Sequence, residues 1–64
     1  MTRVTFSNYK SVLYHGANII YGNNSDTRHT GVVHSDPKWN GGFKCAGRSI
    51  LNLLEEFDNV MIVA

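Results

Sequence analysis

Apolar residues recur along this chain with two different periods. Near the C-terminus Ile50, Leu53, Leu54 and Phe57 fall at i, i+3, i+4 and i+7, and Leu51 widens the stripe. That spacing places one apolar face on a helix. Asp58-Asn59 ends it, and Val60 to Val63 follows as a continuous apolar run. Such a run reads as a strand buried on both faces. At the other end Val4 and Phe6 alternate with polar neighbours, so Thr2 to Phe6 predicts a short strand, closed by Ser7-Asn8.

Between these ends the signals are those of strands and turns. Val12, Leu13 and Tyr14 precede His15-Gly16-Ala17-Asn18, and Ile19, Ile20 and Tyr21 follow it. β-Branched and aromatic residues on both sides of a Gly/Asn turn predict a β-hairpin over Tyr9 to Tyr21. Gly22 to Gly31 is polar and predicts a mobile loop. Val32 and Val33 carry a further short strand over Gly31 to His34, stopped by Pro37, which lacks an N–H and disfavours helix at Asp36. The predicted fold is α+β: a small antiparallel or mixed sheet of three to five strands, with one C-terminal helix packed on one face and a buried final strand. A chain of 64 residues makes one domain, residues 1–64. At this size folding buries only about 60% of the unfolded surface, so the core is marginal.

Charge changes the picture little. Six Lys and Arg against five Asp and Glu give a net charge of +1. A polyanion-binding protein usually carries a clear basic excess. The distribution is less even. Residues 1 to 25 hold Arg3 and Lys10 and no acid, while Glu55, Glu56 and Asp58 cluster near the end. Cys45 is the sole cysteine, which excludes a disulfide within the chain. Met1 to Phe6 lacks the apolar run of a signal peptide, and no segment approaches the ~20 apolar residues that span a bilayer. A cytoplasmic setting is therefore expected, that of a host cell if the protein is viral, with no membrane partner.

The most suggestive motif is Gly42-Phe43-Lys44-Cys45-Ala46-Gly47-Arg48-Ser49. It departs from a phosphate-binding loop by Arg48, which stands where lysine is required. Arginine is a planar fork and does not replace that lysine freely, no buried strand precedes the motif, and only 15 residues follow Ser49. The bland alternative is a Gly-rich turn that opens the helix and puts Arg48 in its first turn. A helix start still attracts anions, so Lys44, Gly47, Arg48 and Ser49 are candidates for a small-anion or nucleotide-ligand site. Cys45, beside that start and flanked by cations, is the residue whose thiol such surroundings activate. The alternative is a half-buried packing cysteine. His29, His34 and Cys45, with Asp26 or Asp36, have zinc-ligand chemistry, but their spacing matches no zinc pattern. No metal or other cofactor is expected.

The remaining candidates are contact residues. Tyr14, Tyr21, Trp39 and Phe43 exceed what one small core needs, with Phe6 and Phe57 assigned inside. Aromatics and arginine are enriched at protein interfaces, so Tyr14, Tyr21, Trp39, Phe43 and Arg48 form a candidate partner surface, and Glu55, Glu56 and Asp58 a second, acidic one. A chain of 64 residues with one helix has little room for a catalytic cleft. That points to a protein-binding module, an inhibitor or accessory factor in the style of phage and mobile-element proteins. A homodimer is a further expectation, since a small sheet has pairing edges. The alternative reading is single-stranded nucleic-acid binding by aromatics interleaved with Arg3, Lys10, Lys38 and Lys44.

Overall fold

A computed structural model describes residues 1–63. The chain is a small α+β fold built from two antiparallel sheets and one main helix. The first sheet contains β1 (Thr2–Arg3), β2 (Asn18–Gly22), β3 (His29–Val32) and β7 (Asn59–Ile62), in the order β1-β7-β2-β3. The second contains β4 (His34–Ser35), β5 (Phe43–Cys45) and β6 (Arg48–Ser49), in that order. A short helix, α1 (Tyr9–Val12), lies between β1 and β2 in the chain. The main helix, α2 (Ile50–Glu56), follows β6 directly and leads into β7, which lies between β1 and β2 in the sheet.

The core lies between the two layers. Ile19 pairs with Ile62 and Tyr21 with Val60, so these four share one face of the first sheet. They pack on Val33, Cys45, Ile50 and Leu53, with Val4, Leu13 and Ala17 closing the cluster. Ile50 and Leu53 are the innermost pair of the helical stripe, while Leu54 and Phe57 are partly buried at its margin. Burial of each large side chain contributes about 1.5–3 kcal/mol.

Several expectations are corrected. Tyr9 to Tyr21 is not a hairpin. Its first residues form the single helical turn α1, because Asn8 fixes the chain just before it. The Asn8 side chain accepts the Thr5 N–H at 2.7 Å and donates to the Arg3 carbonyl at 3.0 Å. That bracket shortens the first strand to Thr2–Arg3 and turns Phe6 out to solvent. Freed from α1, β2 pairs with β3 and β7 instead.

The polar segment after Gly22 is shorter than its composition implies. His29 and Thr30 already belong to β3, which leaves residues 23–28 as the connection. Asp26 shapes that loop by accepting both the backbone N–H and the Nε–H of Arg28. Those bonds, the side-chain one foremost, hold its carboxyl below the usual carboxylate range. Asn23, Asn24, Asp58 and Asn59 then lace the loop to the start of β7. Asp58 N–H donates to Asn23 Oδ1 at 3.0 Å, Asn24 N–H to Asp58 Oδ2 at 3.3 Å, and Asn59 Nδ2 to the Asn24 carbonyl.

The Gly-rich motif is a β-hairpin rather than the helix start. Cys45 pairs with Arg48 across the two-residue turn Ala46-Gly47. Both turn residues have positive φ, 54° and 74°, the requirement of a type I′ connection. Arg48 therefore precedes the helix and its cap Ser49, rather than occupying the first turn. Left-handed backbone at a residue with a Cβ costs about 1–2 kcal/mol. Ala46→Gly is therefore expected to raise thermal stability, by about 4 °C or more if ~1 kcal/mol is recovered. Calorimetry of the two proteins checks this, and an unchanged or lowered melting temperature contradicts it.

The final strand is buried on one face only. Val60 and Ile62 are enclosed, but Met61 is half-exposed and Val63, just beyond β7, is exposed.

Candidate protein-contact surface

The sites read from sequence separate once the chain is folded. Tyr21 leaves the contact surface altogether. Only 7% exposed, it lies under His29, stacked at 5.2 Å, with Phe57 edge-on at 4.9 Å. Tyr14 is exposed at the turn before β2. Trp39 and Phe43 are half-buried beside the second sheet, where Lys44 Nζ sits 5.5 Å from the Trp39 ring and 3.5 Å from Asp36. Arg48 pairs with Glu56 and lies 6.0 Å over the Phe57 ring. The aromatic and basic residues thus make no continuous platform.

The acidic corner is also partly engaged. Glu56 faces Arg48, and Asp58 holds the Asn24 N–H. Glu55 alone of the three is in no ion pair or side-chain hydrogen bond among the described residues. A cation at the start of a helix and an acid at its end oppose the helix dipole; here Arg48, just before α2, pairs with Glu56 at its other end, which offsets that cost. Both partners are solvated, which limits that pairing to about 0–1 kcal/mol.

The anion candidates do not converge on a cradle. Ser49 Oγ accepts the Leu51 N–H at 3.2 Å and donates to the Asn40 carbonyl at 2.6 Å, so its hydroxyl caps α2 and ties down the preceding turn. Lys44 and Arg48 face Asp36 and Glu56. Cys45 is completely buried in β5, and burial pushes its thiol up, away from the thiolate. Cys45 is thus a packing residue, more deeply enclosed than the half-buried cysteine considered from the sequence. His29, His34 and Cys45 lie apart, and among the described residues no group of three such side chains is placed to share a metal.

The structure brings together a different set. The first sheet is covered on one face by α2 and the second sheet. Its other face carries Ile20, paired with Met61 on one side and Thr30 on the other, with Asn18 opposite Val32. Val32 is 43% exposed and Val63 42%, and Met1, just ahead of β1, is exposed as well. Asn18, Ile20, Thr30, Val32 and Val63 line an open groove of about 330 Å³ floored by the backbone of Ile19 and Gly31. Among the described residues no titratable side chain lines it. Arg3, opposite Met61, is the only charged residue of these strands on that face.

These residues carry a signal in the sequence. Ile19-Ile20-Tyr21 and Val60-Met61-Ile62-Val63 are apolar without alternation, the pattern of a strand covered on both faces. Here α2 and the second sheet cover one face, and Ile20, Met61, Val32 and Val63 lie on the other, half-buried or exposed.

No protein family, no curated protein and no solved structure matches this chain. Among the described residues no helix is long and apolar enough to cross a membrane.

Proposed function

We propose that this protein is a small binding module, an inhibitor or accessory factor, that docks a partner protein on the uncovered face of its four-stranded sheet. The observation that carries the reading is the row Ile20, Met61, Val32 and Val63 on that face, with only Arg3 charged among them. An apolar surface with an open groove and a single charge suits another protein's apolar surface, with depletion of charge at its centre. It ill suits a phosphate backbone, whose binding leans on cations. The single-stranded nucleic-acid reading loses its support with Tyr21 enclosed and Lys44 held against Asp36. A catalytic role gains none from a groove lined by amide, hydroxyl and hydrocarbon groups.

A photoreactive amino acid placed at Val63, and separately at Glu55, tests the proposal in lysate of the native host with and without nuclease. The expected result is one dominant protein crosslinked from position 63 and not from position 55. Crosslinking from position 55 alone, or products that vanish with nuclease, contradicts it.

A further inference from the structure

The outer edge of β3 leads to a second inference, independent of what docks on the face. In an antiparallel pair, residues alternate between bonding the neighbour and pointing away from it. Val33 N–H donates to the Ala17 carbonyl at 2.8 Å, and Val63 N–H donates to the Asn18 carbonyl at 2.9 Å. Asn18 and Ile20 therefore bond towards β7, while Ile19 and Tyr21 bond towards β3. With Ile19 opposite Gly31 and Ile20 opposite Thr30, Gly31 and His29 face β2. Thr30 and Val32 direct their N–H and C=O groups outward, away from the sheet. Among the described residues neither has a backbone partner on that side, and both side chains are exposed.

We infer that this edge pairs with the same edge of a second copy of the chain. Antiparallel pairing about a two-fold axis through Gly31 sets Thr30 opposite Val32 of the second copy, and Val32 opposite its Thr30. Both are outward-facing residues, so each of the two pairs exchanges two N–H···O=C bonds. The axis falls on a non-bonded pair, where Cα atoms approach most closely, and Gly31 is the one residue of β3 with no side chain there. With the axis on Gly31 the edge is complementary to itself and both outward-facing residues of each copy are paired, which favours a second copy as the occupant. Opposed residues share a face, so the two grooves adjoin across Thr30 and Val32. Two four-stranded sheets become one of eight. The edge also lacks what keeps natural edges apart: no lysine, proline or bulge interrupts His29–Val32.

Amide hydrogen exchange by NMR, read across a range of protein concentrations together with light scattering, tests this on the intact chain. The expected result is a mass that rises to twice that of one chain, with protection appearing with concentration at the Thr30 and Val32 amides. The Gly31 amide, already bonded within the sheet, stays protected throughout. Thr30→Pro removes an outward N–H without touching the β2 ladder, and is expected to abolish the dimer. Thr30→Lys, which leaves the backbone free to fold as before, is expected to weaken it at least tenfold by placing a cation at each end of the new ladder. Met61→Glu with Val63→Glu alters the face but not this edge, so the dimer is expected to survive it. A monomer at millimolar concentration, or concentration-dependent protection at amides other than those two, overturns the inference while leaving the docking face untouched.

Discussion

Gly31→Ala is expected to remove most of the stability of this protein. An added Cβ at Gly31 falls well under 3.0 Å from Sγ of Cys45, a separation that real Cβ atoms essentially never show. Cys45 is completely buried, among Val33, Ile50 and Leu53, so its sulfur has no open space to enter. Overpacking of this kind costs about 1–3 kcal/mol, and one core at this chain length rarely supplies more than about 3–5 kcal/mol in total. Denaturant unfolding measures the loss. The same contact predicts its own rescue. Cys45→Ala alone is expected to destabilise, because it leaves a small cavity. Added to Gly31→Ala it is expected to restore stability, since the new methyl occupies the space of the deleted sulfur. Residues in contact couple by about 0.5–3 kcal/mol. Purely additive losses in the double variant would mean that β3 and β5 do not pack as described.

The second large effect is on binding. Met61→Glu with Val63→Glu is expected to weaken capture of the partner protein about 30-fold or more. Truncating a residue at the centre of an interface costs about 2 kcal/mol, and each tenfold in affinity is about 1.4 kcal/mol. Two carboxylates buried without partners exceed that. The free protein is expected to keep its melting temperature within a few degrees. Both side chains already meet solvent, and the carboxylate introduced at position 61 would stand opposite Arg3. Titration of the purified partner, once crosslinked and identified, gives the affinity, and calorimetry gives the control. An unchanged affinity with an unchanged melting temperature removes the face from the interface.

The α+β class, the helix and the final strand are legible in the sequence because their signals are local. The i, i+3, i+4 spacing of Ile50, Leu53 and Leu54 leaves one helical solution, and Val60 to Val63 has the length of a strand. The helix start is not legible. Gly42 to Ser49 resembles a loop that opens a helix, yet Ala46 and Gly47 both take positive φ and fold it into a hairpin. That turn favours Asn-Gly or Asp-Gly, and alanine conceals it. The segment Tyr9 to Tyr21 misleads for a different reason. Its apolar residues fit a hairpin, and what overrides them is a long-range choice: β2 finds β3 and β7, while Asn8 holds Tyr9–Val12 in a turn of helix.

The candidate site is hidden by a sound rule applied too far. The unbroken apolar run Val60 to Val63 implies two covered faces, which assigns all of it to a core. In the fold α2 and the second sheet cover one face only, and Met61 and Val63 lie on the other. Of the aromatic residues that composition offers as a surface, Tyr14 stays exposed while others are drawn into the fold. Tyr21 seals one end of the core beneath His29, and Trp39 supports Lys44 above the short connection to β5.

Methyl-selective NMR of the complex distinguishes docking on the uncovered sheet face from docking on the helix side. The methyl signals of Ile20, Met61, Val32 and Val63 are expected to shift and become shielded from a soluble paramagnetic probe, while those of Leu51 and Leu54 in α2 stay as they are in the free protein. Perturbation centred on Leu51 and Leu54, with the face methyls still open to the probe, would contradict it.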